Sequence, residues 1–272
     1  MPLPKISLAA ALGGLVVAGF ASGAQAQEVE IENAVARVVV IPEDRSDIQV
    51  TVDQGAAGLP PIEVRHRGSD VRIDGGLRRR IQNCRSGGFV ADPTQMPSGV
   101  SVTVRDHGVV EMAEAPLIII RTPMDARVDA SGAVWGAIGR SDSVDLGAGG
   151  CGDWSVANTR GDLSVAIGGS GDVRTGEAQA LEVAVGGSGG VTVAAINGPA
   201  DIAIGGSGEV TVNAGRARAL EVAIGGSGTV IFNGEVGDLD VSIAGSGDVR
   251  VARVTGRVQR TIVGSGDIRI GD

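Results

Sequence analysis

Four near-identical stretches decide how this chain folds: GGSGDV at Gly168–Val173, GGSGGV at Gly186–Val191, GGSGEV at Gly205–Val210 and GGSGTV at Gly225–Val230. Two variants follow, AGSGDV at Ala244–Val249 and VGSGDI at Val263–Ile268. The central serines are Ser170, Ser188, Ser207, Ser227, Ser246 and Ser265, so the motif returns every 18 to 20 residues. Such a constant step is the mark of a stacked repeat. Counting backwards on the same step, Cys151 in GGCGDWSV takes the serine slot, and Ser131 in DASGAVWG takes it once more. That makes eight units from about Pro123 to the C-terminus.

Between markers the apolar residues alternate. Leu181-Val183-Val185, Leu220-Val222-Ile224 and Leu239-Val241-Ile243 precede the motif, while Val210-Val212, Val230-Phe232 and Val249-Val251 follow it. A period of two over four to five residues is a half-buried strand. A helix with this density of glycine would lose about 1 kcal/mol per site. Gly-Ser-Gly therefore reads as a tight bend, with glycine supplying positive φ and room for the next coil. A 19-residue unit cannot bury its own apolar face, but stacked units can, with equivalent residues in ladders about 4.8 Å apart. The expectation is an all-β protein: a β-solenoid (parallel β-helix) of about eight 19-residue rungs. An antiparallel sandwich of 19-residue hairpins is the rival. In the last unit Arg260 falls where Val241 and Val222 fall, as a polar end cap or a docking point would require.

The organisation outside the repeat follows from composition. Lys5, the apolar run Leu8–Phe20 and the small residues Ala24-Gln25-Ala26 read as a signal peptide over residues 1–26. Its apolar core is too short for a membrane span, and nothing later in the sequence is long and apolar enough to be one. The product is expected to be exported, to the periplasm, the outer surface or the medium. Residues 27–122 lack the marker but alternate over Val29–Ile31, Ala36–Ile41, Ile48–Val52, Ile62–Arg65, Val71–Ile73, Val100–Val104 and Leu117–Ile120, with a loop at Gly87–Ser98. They read as a β-rich module or cap, followed by the solenoid over 123–272.

Cys84 and Cys151 are the only cysteines. In an oxidising compartment an even count points to a bridge, with two free thiols as the alternative. A formal charge of −9 argues against nucleic acid and anionic membranes as partners. The chain has two tryptophans, three phenylalanines and no tyrosine, which counts against a lectin-like aromatic site.

Candidate chemistry is sparse. A phosphate loop needs a lysine after the glycines, and none is there. Calcium nonapeptides place the acid two residues after the third glycine, whereas Asp172 and Asp248 follow that glycine directly. Ser188 meets the GxSxG pattern only through the repeat, and its sibling serines do not. Six residues before each marker, however, Asp145, Glu182, Asp201, Glu221 and Asp240 form an outward acidic ladder, with Ser164 and Gln259 in the same series. Such a ladder is either a solvated face or a weak cation stripe, since hard cations want several oxygens. Arg174, Arg250 and Arg269 follow the turn and offset some of that charge. Arg78, Arg79 and Arg80 form a candidate anion contact. His66 and His107 lack metal-ligand spacing, and no cofactor is implied.

The GSGDV-type turns at Gly169–Val173, Gly245–Val249 and Gly264–Ile268, together with GCGDW at Gly150–Trp154, resemble the bacterial auto-transporter adhesin family with a head GIN domain. The resemblance covers roughly Ala130 to Asp272. It implies a secreted, non-enzymatic β-solenoid acting in adhesion at the cell envelope or cell surface, although no translocator barrel follows in this sequence. The alternative is a polysaccharide-binding or polysaccharide-degrading β-helix.

Overall fold

The computed structural model describes residues 27–271; the expected signal peptide over residues 1–26 lies outside them. The N-terminal part contributes β1 (Glu28–Pro42), β2 (Gln49–Asp53), β3 (Glu63–Arg67), β4 (Asp70–Asp74), β5 (Ile81–Arg85), β6 (Ser101–Val104), β7 (Gly108–Glu111) and β8 (Leu117–Thr122). The repeat begins with β9 (Asp125–Ile138), β10 (Ser143–Ala148), β11 (Trp154–Val156), β12 (Asp162–Ile167), β13 (Val173–Ala178), β14 (Ala180–Val185) and β15 (Gly190–Ile196). It continues through β16 (Ala200–Ile204), β17 (Glu209–Val212), β18 (Arg216–Ile224), β19 (Thr229–Gly245), β20 (Asp248–Val254), β21 (Val258–Gly264) and β22 (Asp267–Ile270).

Two parallel sheets face each other. The first runs from the front half of β9 through β10, β12, β14, β16, β18 and the back half of β19 to β21. The second runs from the back half of β9 through β11, β13, β15, β17, the front half of β19 and β20 to β22. Each strand pairs with its equivalent one repeat away and in parallel, so the coil is a β-solenoid and the antiparallel sandwich is excluded.

The alternation read from sequence becomes columns. Val29, Val128, Leu146, Val165, Val183, Ile202, Val222 and Val241 stack in register through the first sheet. All eight are buried. In the second sheet Trp154, Val173, Val191, Val210, Val230, Val249 and Ile268 do the same. Trp154 sits over Gly136, where any β-carbon would strike the indole ring. A large residue on one rung is thus offset by none on the next, which keeps the packing dense.

The glycines act through space more than through φ. At Gly187, Gly206 and Gly226 a β-carbon would overlap the carbonyl oxygen of Gly169, Gly187 and Gly206 respectively, one rung back. None of the three has positive φ. The expected positive φ appears at Gly132 and Gly152, with φ of 110° and 114°, and within the last two markers at Gly245 and Gly264, with φ of 148° and 134°.

Strand β1 joins the stack. Its two halves pair in parallel with the two halves of β9, so it forms a further rung whose corner is Asn33 at φ 53°. The expected separate strands at 29–31 and 36–41 are one element. Beyond β1 the first sheet continues to β4 and antiparallel β3, and the second to β8 and antiparallel β2. A single core therefore runs across residue 122/123, from Val29 to Ile268.

A second, smaller core lies outside the coil. Strands β5, β6 and β7 form an antiparallel sheet. Val100, Val102, Val104, Val110 and Met112 pack there against Val35, Ala133 and Trp135, the outward residues of β1 and β9. Neither β5 nor β7 was expected from the sequence, because Gln82, Asn83, Gly108 and Glu111 dilute their apolar pattern.

Candidate functional site

The six marker serines are exposed at one edge of the coil. Their backbone N–H groups are spent on the rung below: Ser188 on Gly169 at 3.1 Å, Ser207 on Gly187 at 3.1 Å, Ser227 on Gly206 at 3.0 Å and Ser246 on Gly226 at 3.0 Å. Ser188 and Ser207 share a shallow recess of about 230 Å³ with Asp172, Arg174, Thr192 and Glu209.

At Cys151 that outward slot meets the lateral module. Cys151 is disulfide-bonded to Cys84 of β5, with Cα atoms 6.4 Å apart. Both cysteines border the outer core. Phe89 adds a second contact, its ring centroid 4.1 Å from the Arg174 guanidinium carbon. That spacing is a cation–π contact.

Two residues past the cysteine, Asp153 is 5% exposed. Its Oδ1 accepts the Asp172 N–H at 3.3 Å. The Val90 N–H and the Trp135 indole lie beside the carboxyl, although the indole N–H and Oδ2 complete no hydrogen bond among the described residues. Burial pushes the Asp153 carboxyl above the usual carboxylate range, against the pull of the Asp172 N–H.

Elsewhere the acid after the motif is a fastener. The Asp172 carboxylate accepts the Gly190 N–H of the next rung at 2.8 Å. Asp238 does the same at the opposite corner, accepting the Arg257 N–H at 2.8 Å and pairing with its guanidinium at 3.0 Å. Those bonds hold the Asp238 carboxyl below its ordinary value.

The outward acidic series is in register. Asp145, Ser164, Glu182, Asp201, Glu221, Asp240 and Gln259 are successive partners across the first sheet. Glu28 and Arg127 extend the column at its start, and Arg127 pairs with Asp145 at 3.1 Å. Burial raises the carboxyls of Asp145 and Asp201, while Arg127 draws Asp145 the other way. The column is single-file. Among the described residues no three acidic, histidine or cysteine side chains converge as metal ligands.

Beside it stand Ala166, Ala184, Ala203 and Ala223, then Ser242 and Thr261, also in register. The outer face of the first sheet is thus flat, with one acidic stripe and one stripe of small side chains.

The arginine run divides. Arg78–Arg80 forms a short 3-10 turn. Arg80 donates to the carbonyls of Gly76 at 2.7 Å and Leu77 at 3.4 Å. Only Arg78 and Arg79 remain exposed.

The architecture is a parallel β-solenoid with a disulfide-stapled module on its flank. Residues 196–272, the upper rungs of the coil, match the family model described as "Putative auto-transporter adhesin, head GIN domain". A solved structure, described as a putative adhesin from Parabacteroides distasonis ATCC 8503, superposes with a TM-score of 0.50 at 15% identity. The superposition covers 92% of this chain and 94% of that one, and it establishes a shared fold. No curated protein matches the chain. The chain is thus a β-solenoid whose last rungs are similar to that family. Among the described residues no helix is long and apolar enough to cross a membrane.

Proposed function

We propose that this protein is an exported, non-enzymatic, adhesin-like component of the bacterial cell envelope. Residues 1–26 direct export, residues 27–122 supply the first rung and the lateral module, and residues 123–272 form the display rod. Its partner is a component of the envelope or of another cell's surface. The observation that carries the reading is the register of the outer columns: acids stand on five rungs and small residues on six, all on the outer face of one sheet. Repetition of weak contacts along a polymer raises avidity without a deep pocket. The Cys84–Cys151 bridge accords with an oxidising destination.

The test is retention. Purified protein comprising residues 27–272 should co-sediment with bacterial cells or isolated envelope polymers, in proportion to the rungs retained. If it is retained on neither, and does not self-associate, the adhesin reading fails.

A further inference from the structure

The corner opposite the serine edge departs from the ladder in one place. A groove of about 340 Å³ crosses the early rungs there, lined by Arg140, Ser141, Asn158, Thr159, Arg160 and Gln179, with Glu177 as its one acid. Ser141 and Thr159 are 1% and 4% exposed. They pair with each other across the rungs, and neither hydroxyl has a hydrogen-bond partner among the described residues. The Thr159 N–H donates to Glu177 at 2.8 Å, which sets Thr159 beside Ala178, and Ala178 stands in register with Ile196. The column is therefore apolar on later rungs and carries hydroxyls only at the groove. Both hydroxyl oxygens are shut off from solvent inside the coil, so what the groove offers a ligand is the exposed Arg140 and Arg160 together with the amides of Asn158 and Gln179.

We infer that this groove binds a carboxylated oligosaccharide, with Arg140 and Arg160 taking the carboxylates. Arg140 is exposed and has no ion-pair partner among the described residues. Arg160 pairs with Asp142 at 2.9 Å, but both are well exposed, and an exposed pair of this kind contributes little and exchanges readily. Guanidinium groups suit planar carboxylates. Asn158 Oδ1 accepts the Glu177 N–H at 3.2 Å, which leaves its NH2 to donate, while the Gln179 amide can both donate and accept, and such groups match sugar hydroxyls. A peptide ligand would need a free sheet edge or apolar pockets, and these rungs have their edges paired. The rung spacing of about 4.8 Å is close to the length of one pyranose unit, so successive sugars can meet successive rungs. The scarcity of aromatic side chains is no obstacle, because charge and hydrogen bonds take the role that ring stacking plays for neutral sugars.

The site stands apart from the display surface of the first sheet, so it goes beyond the adhesin reading. Calorimetric titration of residues 27–272 with a galacturonate hexamer tests it, with the methyl-esterified hexamer and a neutral glucan hexamer as controls. Saturable binding is expected, at least tenfold weaker in Arg140→Ala and for both controls, and several-fold weaker in Gln179→Ala. Absence of saturable binding at millimolar hexamer, equal binding of the esterified form, or unchanged binding in Arg140→Ala overturns the proposal. Arg140 and Gln179 are both surface residues, so neither variant should disturb the fold. Cell retention that survives Arg140→Ala, with no hexamer binding, would remove this site and leave the adhesin reading standing.

Discussion

Arg260 stacks directly on Val241, in the inward column that valine, isoleucine and leucine fill on every earlier rung. Around it Val258, Ile262 and Val263 are 39%, 42% and 69% exposed. Strand β21 has no partner on its outer edge among the described residues. An inward-facing charge on an open edge discourages a further strand from pairing there. Replacing Arg260 by valine should therefore shift the protein toward dimers or larger species. Light scattering after size exclusion would show it as a higher mass than the parent at equal concentration. Equal masses would mean that Arg260 does not guard the edge.

The bridge between Cys84 and Cys151 closes a loop of 67 residues. On the chain-entropy relation such a loop is worth about 4 kcal/mol. The double serine variant should unfold at clearly lower urea than the parent, with the module of β5 to β7 loosening first because its own core is small. An unchanged urea midpoint would show that the outer core holds the module without the bridge.

Asp153 gives the stability curve a sign. Its carboxyl is raised in the folded state by burial, so the fold binds that proton more tightly than the unfolded chain does. Its favourable contribution is complete below the unfolded value of 3.8. It is lost as pH rises from there through the raised folded value, and above that the buried charge is a fixed penalty. Asp153→Asn should thus raise the melting temperature near neutral pH and flatten the acid limb. A lower melting temperature at neutral pH would show that the charged form is stabilised where it stands.

The corners separate spacing from chemistry. Gly206→Ala places a methyl group against the Gly187 carbonyl and should destabilise the fold by more than about 1 kcal/mol, since overpacking costs typically 1–3 kcal/mol. Ser207→Ala, on an exposed side chain, should stay within about 0.5 kcal/mol of the parent. Chemical denaturation of the two variants compares them. A serine change as costly as the glycine change would contradict the assignment of the serines to spacing.

Much of this was readable in the sequence because stacking translates period into register. The acidic series inferred from Asp145 to Asp240 forms one column for that reason, and Cys151 in a serine slot marked where the coil is stapled. What escaped was whatever depended on contacts between unlike segments. β1 keeps the inward alternation of Val29, Ile31, Ala36 and Val38, but its corner is Asn33, so the marker does not reveal that it is a rung. Trp135 alternates outward and is buried only because β5 to β7 cover it. The groove at Arg140 and Arg160 was missed because the two arginines stand outside the marker series on neighbouring rungs, and only the coil brings them to one corner. The role of Asp172 also needed geometry: its carboxylate reaches the Gly190 N–H one rung on, a contact that no spacing rule announces.

The central claim is that this coil holds a surface polymer without cutting it. The direct measurement is to incubate residues 27–272 with polygalacturonate and with isolated envelope polysaccharide, with and without calcium. Both retention of the protein and the chain length of the polymer are then followed. The account predicts retention on at least one polymer, with chain lengths unchanged in either condition. Progressive shortening of the polymer, or release of unsaturated sugars, would contradict it.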